Sequence, residues 1–235
     1  MLKGVMYISW GQRSILETIY SAKTLKKTSP DVGTCIFTNV NVDSRWFDDI
    51  RIVKFPSGEK RFKFDYLNKS PYDYTLYLDG DTCIKRDISD VFSILNRFDV
   101  ALTHDFGRKQ KIWTKKIPEY ADIPYGFPEF NGGVLLYKKN EITYNFIKLW
   151  KELYKKFIHK YKVPYDQISL RVSLWQSCVS IHTLPPEYNL RSKNQRKKWR
   201  KRIEKKIEYP DLLKPRILHN HQLNNNKIKF SPFCY

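Results

Sequence analysis

Apolar positions in this chain fall in short bursts separated by amphipathic stretches. Val5–Ile8, Thr34–Thr38, Ile50–Phe55, Tyr74–Leu78, Val100–Thr103 and Gly133–Tyr137 are apolar runs of strand length, and each predicts a buried strand. The third is closed by the turn formers Pro56-Ser57-Gly58. Ser14–Lys27 instead repeats Ile15, Ile19, Ala22 and Leu25 at helical spacing with lysines opposite, the pattern of a helix lying on a core. Ile142–Phe157 and Gln167–Trp175 predict further helices, Gln195–Lys206 a basic one, and Arg216–His219 a last short strand. Strands alternating with helices predict an α/β fold whose sheet is mostly parallel and flanked by helices, of the Rossmann-like kind. Residues 105–130 break the pattern. They are aromatic and Pro-containing, and an irregular loop of that length is usually functional. With no internal repeat and no linker, one domain over 1–235 is expected, with one half over about 1–104 and a second over about 105–235.

Composition supports a folded core. The 235 residues are 41% hydrophobic and 15% aromatic, so the low mean hydropathy of -0.58 reflects charge, and Gly and Pro are not enriched. The balance of 43 Lys and Arg against 24 Asp and Glu leaves a net charge of +19. This fits either a solvated lysine-rich surface or an anionic partner: nucleotide phosphates, nucleic acid, an acidic glycan or an anionic membrane surface. Cysteines 35, 83, 178 and 235 have no zinc-module spacing and read as reduced thiols. The opening MLKGVMYISWGQR has no long apolar region with a small-residue cleavage site, and no stretch reaches the roughly 18 apolar residues of a membrane span. A cytoplasmic protein is expected, with any membrane contact peripheral.

The chemistry concentrates where the fourth strand ends. Tyr74-Thr-Leu-Tyr-Leu-Asp79-Gly80-Asp81 delivers two carboxylates from a buried strand, at the carboxyl edge where open α/β sheets bind ligands. Gly80 permits a sharp turn and close backbone approach. Two carboxylates converging on one point suit a hard cation, Mg²⁺ or Mn²⁺, which would neutralise a diphosphate. Asp-Gly-Asp also suits a plain strand-end turn. A phosphatase with Asp79 as nucleophile is a further alternative, but Cys83 stands where its motif carries Thr or Val.

The segment Pro71-Tyr-Asp-Tyr-Thr-Leu-Tyr-Leu-Asp-Gly-Asp-Thr82 resembles the DxD region of nucleotide-diphosphosugar transferases of the glycosyltransferase-A fold, and is most similar to the glycogenin-like retaining group, family 8. The resemblance implies that Asp79, Asp81 and a C-terminal histidine hold Mn²⁺ or Mg²⁺ under the diphosphate of a UDP-sugar. Other motifs follow in family order. Asn131-Gly132-Gly133-Val-Leu-Leu-Tyr137 resembles the strand whose Asn and small residues face the donor sugar. Two glycines there also suit a bulge or tight turn. Asp166-Gln167 resembles the pair that opens a helix beside the anomeric carbon, and equally suits a helix cap. Leu184-Pro185 with Tyr188-Asn189 resembles the turn after the next strand, and Ile217-Leu218-His219 the strand end that supplies the third metal ligand, with His221 as the rival. The family's later Gly and Lys-Pro-Trp are missing, and only Lys227 stands near the place of that lysine.

The resemblance further implies a nucleotide site at the end of the first strand. Tyr7 or Trp10 would stack on the base there and Arg13 meet phosphate, unless both rings are core. Lys60 and Lys63 occupy the place of a donor-binding basic residue. Asn131, Asp166 and Gln167 become the candidate catalytic residues. Tyr7, Trp10, Arg13, Lys63, Asp79 and Gly132 become the candidate donor-binding residues. The implied reaction is hexosyl transfer from a UDP-sugar to a hydroxyl acceptor, with retention. The basic segment 193–206, with Trp199, suits an acidic acceptor, an anionic membrane surface or plain solvation. A basic nucleic-acid or acidic-polymer binder without catalysis is the competing reading, although no known nucleic-acid motif is present.

Overall fold

The structure, a computed structural model, describes residues 1–55, 63–105, 107–191 and 214–219. Along the chain these form β1 (Lys3–Ser9), α1 (Gln12–Thr28), β2 (Gly33–Thr38), β3 (Asp49–Ile52), α2 (Lys63–Tyr66), β4 (Tyr74–Leu78), β5 (Thr82–Ile84), β6 (Val100–His104), α3 (Lys111–Lys116), α4 (Pro118–Ala121), β7 (Phe130–Lys138), α5 (Glu141–Tyr161), α6 (Asp166–Gln176), β8 (Ile181–Leu184) and β9 (Ile217–His219). Single 3-10 segments cover Leu67–Lys69, Ser89–Asn96 and Pro186–Tyr188. The fold is α/β with a mostly parallel central sheet and flanking helices, as the alternation of strand and helix patterns predicts.

Two compact units interleave along the chain, whereas the sequence predicts two successive halves that meet near residue 104. One comprises Lys3–Phe55, Leu78–Val91 and Pro185–Tyr235; the other comprises Met1–Leu2, Pro56–Tyr77 and Phe92–Leu184. In the first, β1 pairs in parallel with β2 from Gly4 opposite Gly33 to Ser9 opposite Thr38, and β2 pairs in parallel with β3. Helix α1 makes the parallel return, burying Ile15, Ala22 and Leu25 as its apolar spacing requires. A separate antiparallel ribbon joins β5 to β9, with Thr82 opposite His219 and Ile84 opposite Ile217.

In the second unit β6 pairs antiparallel with β7 and parallel with β8. Helix α5 is started by Asn140, whose Oδ1 accepts from the Thr143 amide at 2.8 Å. It is ended by Lys162 in the left-handed region, φ 54°. Its buried face, including Phe146, Trp150, Leu153 and Phe157, packs in part against Ile117, Tyr120, Ile123, Val163, Ile168 and Val172.

Three sequence expectations change. Residues 105–130 are not irregular throughout, because α3 and α4 lie inside them; helices of one turn or so carry too few residues for a period to show. Strand β7 begins at Phe130, so Asn131 and Gly132 lie within the strand rather than before it. Strand β3 is shorter than Ile50–Phe55. Pro56-Ser57-Gly58, Lys60, Phe106, the basic segment 193–206 with Trp199, His221 and Lys227 lie outside the described residues. Among the described residues no helix is long and apolar enough to cross a membrane.

Candidate metal centre and donor-handling residues

The ribbon of β5 and β9 assembles the first cluster. Because Thr82 stands opposite His219, the imidazole comes to the turn that links β4 to β5. Asp79, Asp81 and His219 offer ligand atoms that all lie within 4.8 Å of one another. His219 Nε2 is 3.6 Å from Asp79 Oδ2 and 3.3 Å from Asp81 Oδ1. The imidazole is buried, while the two carboxylates remain about one-third exposed, at 32% and 29%.

Asn189 decides which imidazole nitrogen faces the acids. Its Oδ1 lies 2.8 Å from His219 Nδ1 and can only accept there, so Nδ1 carries hydrogen and Nε2 is presented to the carboxylates. Asn189 is placed by the main chain on either side: its amide bonds Pro186 O, and Leu190 bonds both Ile217 and His219. Burial disfavours charge on this imidazole, but Asp79 and Asp81 outweigh it and push the pKa up to about 9. Without a metal, then, a proton on Nε2 occupies the place that a cation would take. Two carboxylates and one imidazole nitrogen, held at this spacing, fit a divalent cation of the Mn²⁺ or Mg²⁺ kind.

Gly80 has a different reason from the one the sequence suggests. A Cβ at position 80 would stand 2.3 Å from Thr18 Oγ1 and 3.3 Å from Ser14 O, so the close approach is by helix α1. Gly132 behaves likewise. A Cβ there would meet the Trp150 ring at 2.9 Å, so the missing side chain accommodates Trp150.

The second cluster lies in the other unit. Lys63 is buried and forms an ion pair with Asp166 Oδ2 at 2.5 Å. Its ammonium also donates to Gly132 O at 3.4 Å and stands 4.8 Å from the centre of the Trp150 ring. Trp150 Nε1 donates to Asp166 O at 3.0 Å. Gln167 Nε2 donates to Asp105 Oδ2 at 2.8 Å, and Asn131 Oδ1 accepts from the Gly133 amide at 3.1 Å. Lys63, Gly132 and Asp166, three separate sequence candidates, are thus brought together around Trp150. Asp105 and Trp150 were not singled out in the sequence, since neither stands in a motif.

Deeper in the same unit, Arg171 on α6 pairs with Glu129 at 3.1 Å, with side chains 1% and 4% exposed. Glu129 also accepts from the Tyr120 hydroxyl, and Arg171 donates to Pro124 O at 2.9 Å. The pair therefore ties α6 to the 105–130 segment. Burial raises the Glu129 pKa even though Tyr120 and Arg171 work against the rise.

The nucleotide candidates divide. Tyr7 is a core residue: it is fully buried, its ring meets Phe47 edge-on at 6.2 Å, and its hydroxyl lies 3.0 Å from Ser21 Oγ. It offers no face for a base, which corrects the stacking expectation for this ring. Trp10 is half exposed just beyond β1. Arg13 is exposed and pairs with Glu17 one turn along α1 at 3.3 Å.

Comparisons with known proteins bear on this geometry. No family model matches the chain. Glucoside xylosyltransferase 1 of Gallus gallus is 27% identical over 136 residues, 51% of this chain, and the chain spans 30% of that relative's length. The solved galactosyltransferase LgtC, in complex with donor and acceptor sugar analogues, superposes with a TM-score of 0.59 at 14% identity, covering 92% of this chain and 86% of that one. The glycosyltransferase GlyE of Streptococcus pneumoniae TIGR4 gives 0.62 at 17% identity, over 96% and 57%. Mouse xyloside xylosyltransferase 1 gives 0.55 at 13% identity, over 93% and 97%. The curated relative and these structural neighbours are glycosyltransferases, and the chain has a glycosyltransferase-A-like fold.

Proposed function

We propose that this chain is a divalent-metal-dependent glycosyltransferase that moves a hexosyl group from a UDP-sugar to a hydroxyl acceptor with retention, as its family 8 resemblance implies. The observation that carries this reading is the Asp79, Asp81 and His219 cluster, with its tautomer fixed by Asn189. A bound Mn²⁺ or Mg²⁺ would neutralise the donor's diphosphate and stabilise it as a leaving group. The protein's own part is to hold three ligand atoms at fixed spacing and to keep the Nε2 lone pair turned toward them. In this reading Asn131, Asp166 and Gln167 orient the donor sugar. Lys63 pairs with Asp166 and holds it in place, and Gly132 presents its carbonyl to Lys63. Trp10 and Arg13 serve the nucleotide. The barrier falls through charge stabilisation and the positioning of acceptor against donor. The acceptor is a glycan or another hydroxyl compound, which the net charge of +19 would suit if acidic. Work in the cytoplasm, with peripheral membrane contact through 193–206, belongs to the same proposal.

The test is UDP binding by calorimetry, with and without Mn²⁺, in the wild type and in Asp81→Ala, together with slow hydrolysis across a panel of UDP-sugars. Metal-dependent binding in the wild type alone is expected. Equal, metal-independent affinity in both proteins would sink the metal role.

A further inference from the structure

Helix α1 turns hydroxyls toward the metal turn. Thr18, Ser21 and Thr24 recur every three residues, and the first two are fully buried. Thr18 lies so close to Gly80 that a side chain there would force the Thr18 hydroxyl to move. Ser21 Oγ lies 2.7 Å from Thr82 Oγ1, and Thr24 Oγ1 accepts from the Ile84 amide at 2.9 Å.

The proton order through this face is forced. Thr82 Oγ1 donates its hydrogen to the Asp79 carbonyl at 2.9 Å, so toward Ser21 it can only accept. Ser21 then gives its hydrogen to Thr82 and must accept from the Tyr7 hydroxyl at 3.0 Å. Burial raises the Tyr7 pKa, which keeps that hydrogen in place. The outcome is an ordered line from Tyr7 through Ser21 and Thr82 to the main chain of Asp79. Each bond polarises the next, and no member is left without a partner.

The line has a mechanical consequence. Asp79 and Asp81 must turn toward one point against their mutual repulsion, so something other than the carboxylates has to set the backbone between them. We propose that Tyr7, Ser21 and Thr82 are positioning residues that fix the Asp79-Gly80-Asp81 turn, and so tune its affinity for a divalent cation. This rests on the metal reading given above.

The test measures Mn²⁺ affinity of the full chain by electron paramagnetic resonance of the free ion, with Tm recorded in parallel. Thr82→Val keeps the shape and removes the hydroxyl, and should weaken Mn²⁺ binding about tenfold, the lower end of what outer-shell partners contribute. Thr82→Ser should restore it to within about twofold of wild type. Thr24→Val loses a bond on the same helix face that does not reach Asp79, and should lower Tm with no comparable change in affinity. Wild-type affinity in folded Thr82→Val overturns the proposal, as does an equal loss in Thr24→Val. If Thr82→Val does not fold, Ser21→Ala carries the test, since it cuts the line one step earlier; unchanged affinity there overturns the proposal too. Asp81→Ala separates the two ideas. If wild type and Asp81→Ala bind Mn²⁺ alike, the metal reading fails and this inference with it. If they differ while Thr82→Val matches wild type, only the positioning role fails.

Discussion

The Glu129–Arg171 pair and the Asp79, Asp81 and His219 cluster solve opposite electrostatic problems. Glu129 and Arg171 are opposite charges sealed at 4% and 1% exposure, each with further hydrogen-bond partners, Tyr120 for the acid and Pro124 O for the base. Their charges offset one another, although Glu129 Oε2 and Arg171 Nε are buried with no hydrogen-bond partner among the described residues. The metal cluster sets two like charges beside one imidazole and leaves both carboxylates about one-third exposed. It is completed only by a proton or a cation. A buried pair of the first kind adds little net stability but is costly to break, whereas a cluster of the second kind is poised to bind.

The largest effect should come from breaking the sealed pair. Arg171→Met leaves Glu129 buried without its counter-charge and should cost about 3–5 kcal/mol in denaturant unfolding. Adding Glu129→Leu should recover most of that loss, because a matched apolar pair carries no desolvation penalty. In the other cluster, Asp81→Ala should weaken Mn²⁺-dependent UDP binding on the order of a hundredfold, measured by calorimetry. It should also lower the metal-free Tm below about pH 9, since the buried, protonated imidazole of His219 loses one of its two counter-charges. Asn189→Ala frees His219 Nδ1 and should weaken metal binding about tenfold, with the protein still folded by circular dichroism.

The smallest expected effect is a pH dependence. Burial disfavours charge on Asp99, but hydrogen bonds from Ser180, Asn140 and Lys138 overcome that and lower its pKa from 3.8 to about 2. The unfolded chain therefore binds the proton more readily. The contribution of Asp99 should be fully present above pH 3.8 and lost as pH falls through about 2. Acid unfolding followed over that window should flatten in Asp99→Asn by about 1 kcal/mol.

Much of the fold was legible because period and burial are local. The runs around Val5, Ile36, Leu76, Val100 and Leu135 are strands, and the spaced apolar residues of Ser14–Lys27 form a helix. What was missed is short. Strand β5 has three residues and α3 and α4 have six and four, too few for a pattern to rise above chance. The site was legible as residue types in order. Asp79, Asp81 and His219 converge, and the structure also brings Lys63 to Asp166. Tyr7 was misread because an aromatic at a strand end looks the same whether its ring faces a ligand or Phe47.

By itself, the sequence determined the α/β class, the carboxylate pair at the end of a buried strand, and a histidine at the end of a later one. Tertiary structure alone decided that Asn189 selects the imidazole nitrogen, that Thr18 and Trp150 are the reasons for Gly80 and Gly132, and that a line of hydroxyls reaches Asp79 from Tyr7. The physical reason is range. Hydrophobic period is written in neighbours three or four residues apart, whereas Asn189 lies 30 residues from His219 and Ser21 61 from Thr82, and no local pattern encodes such partners.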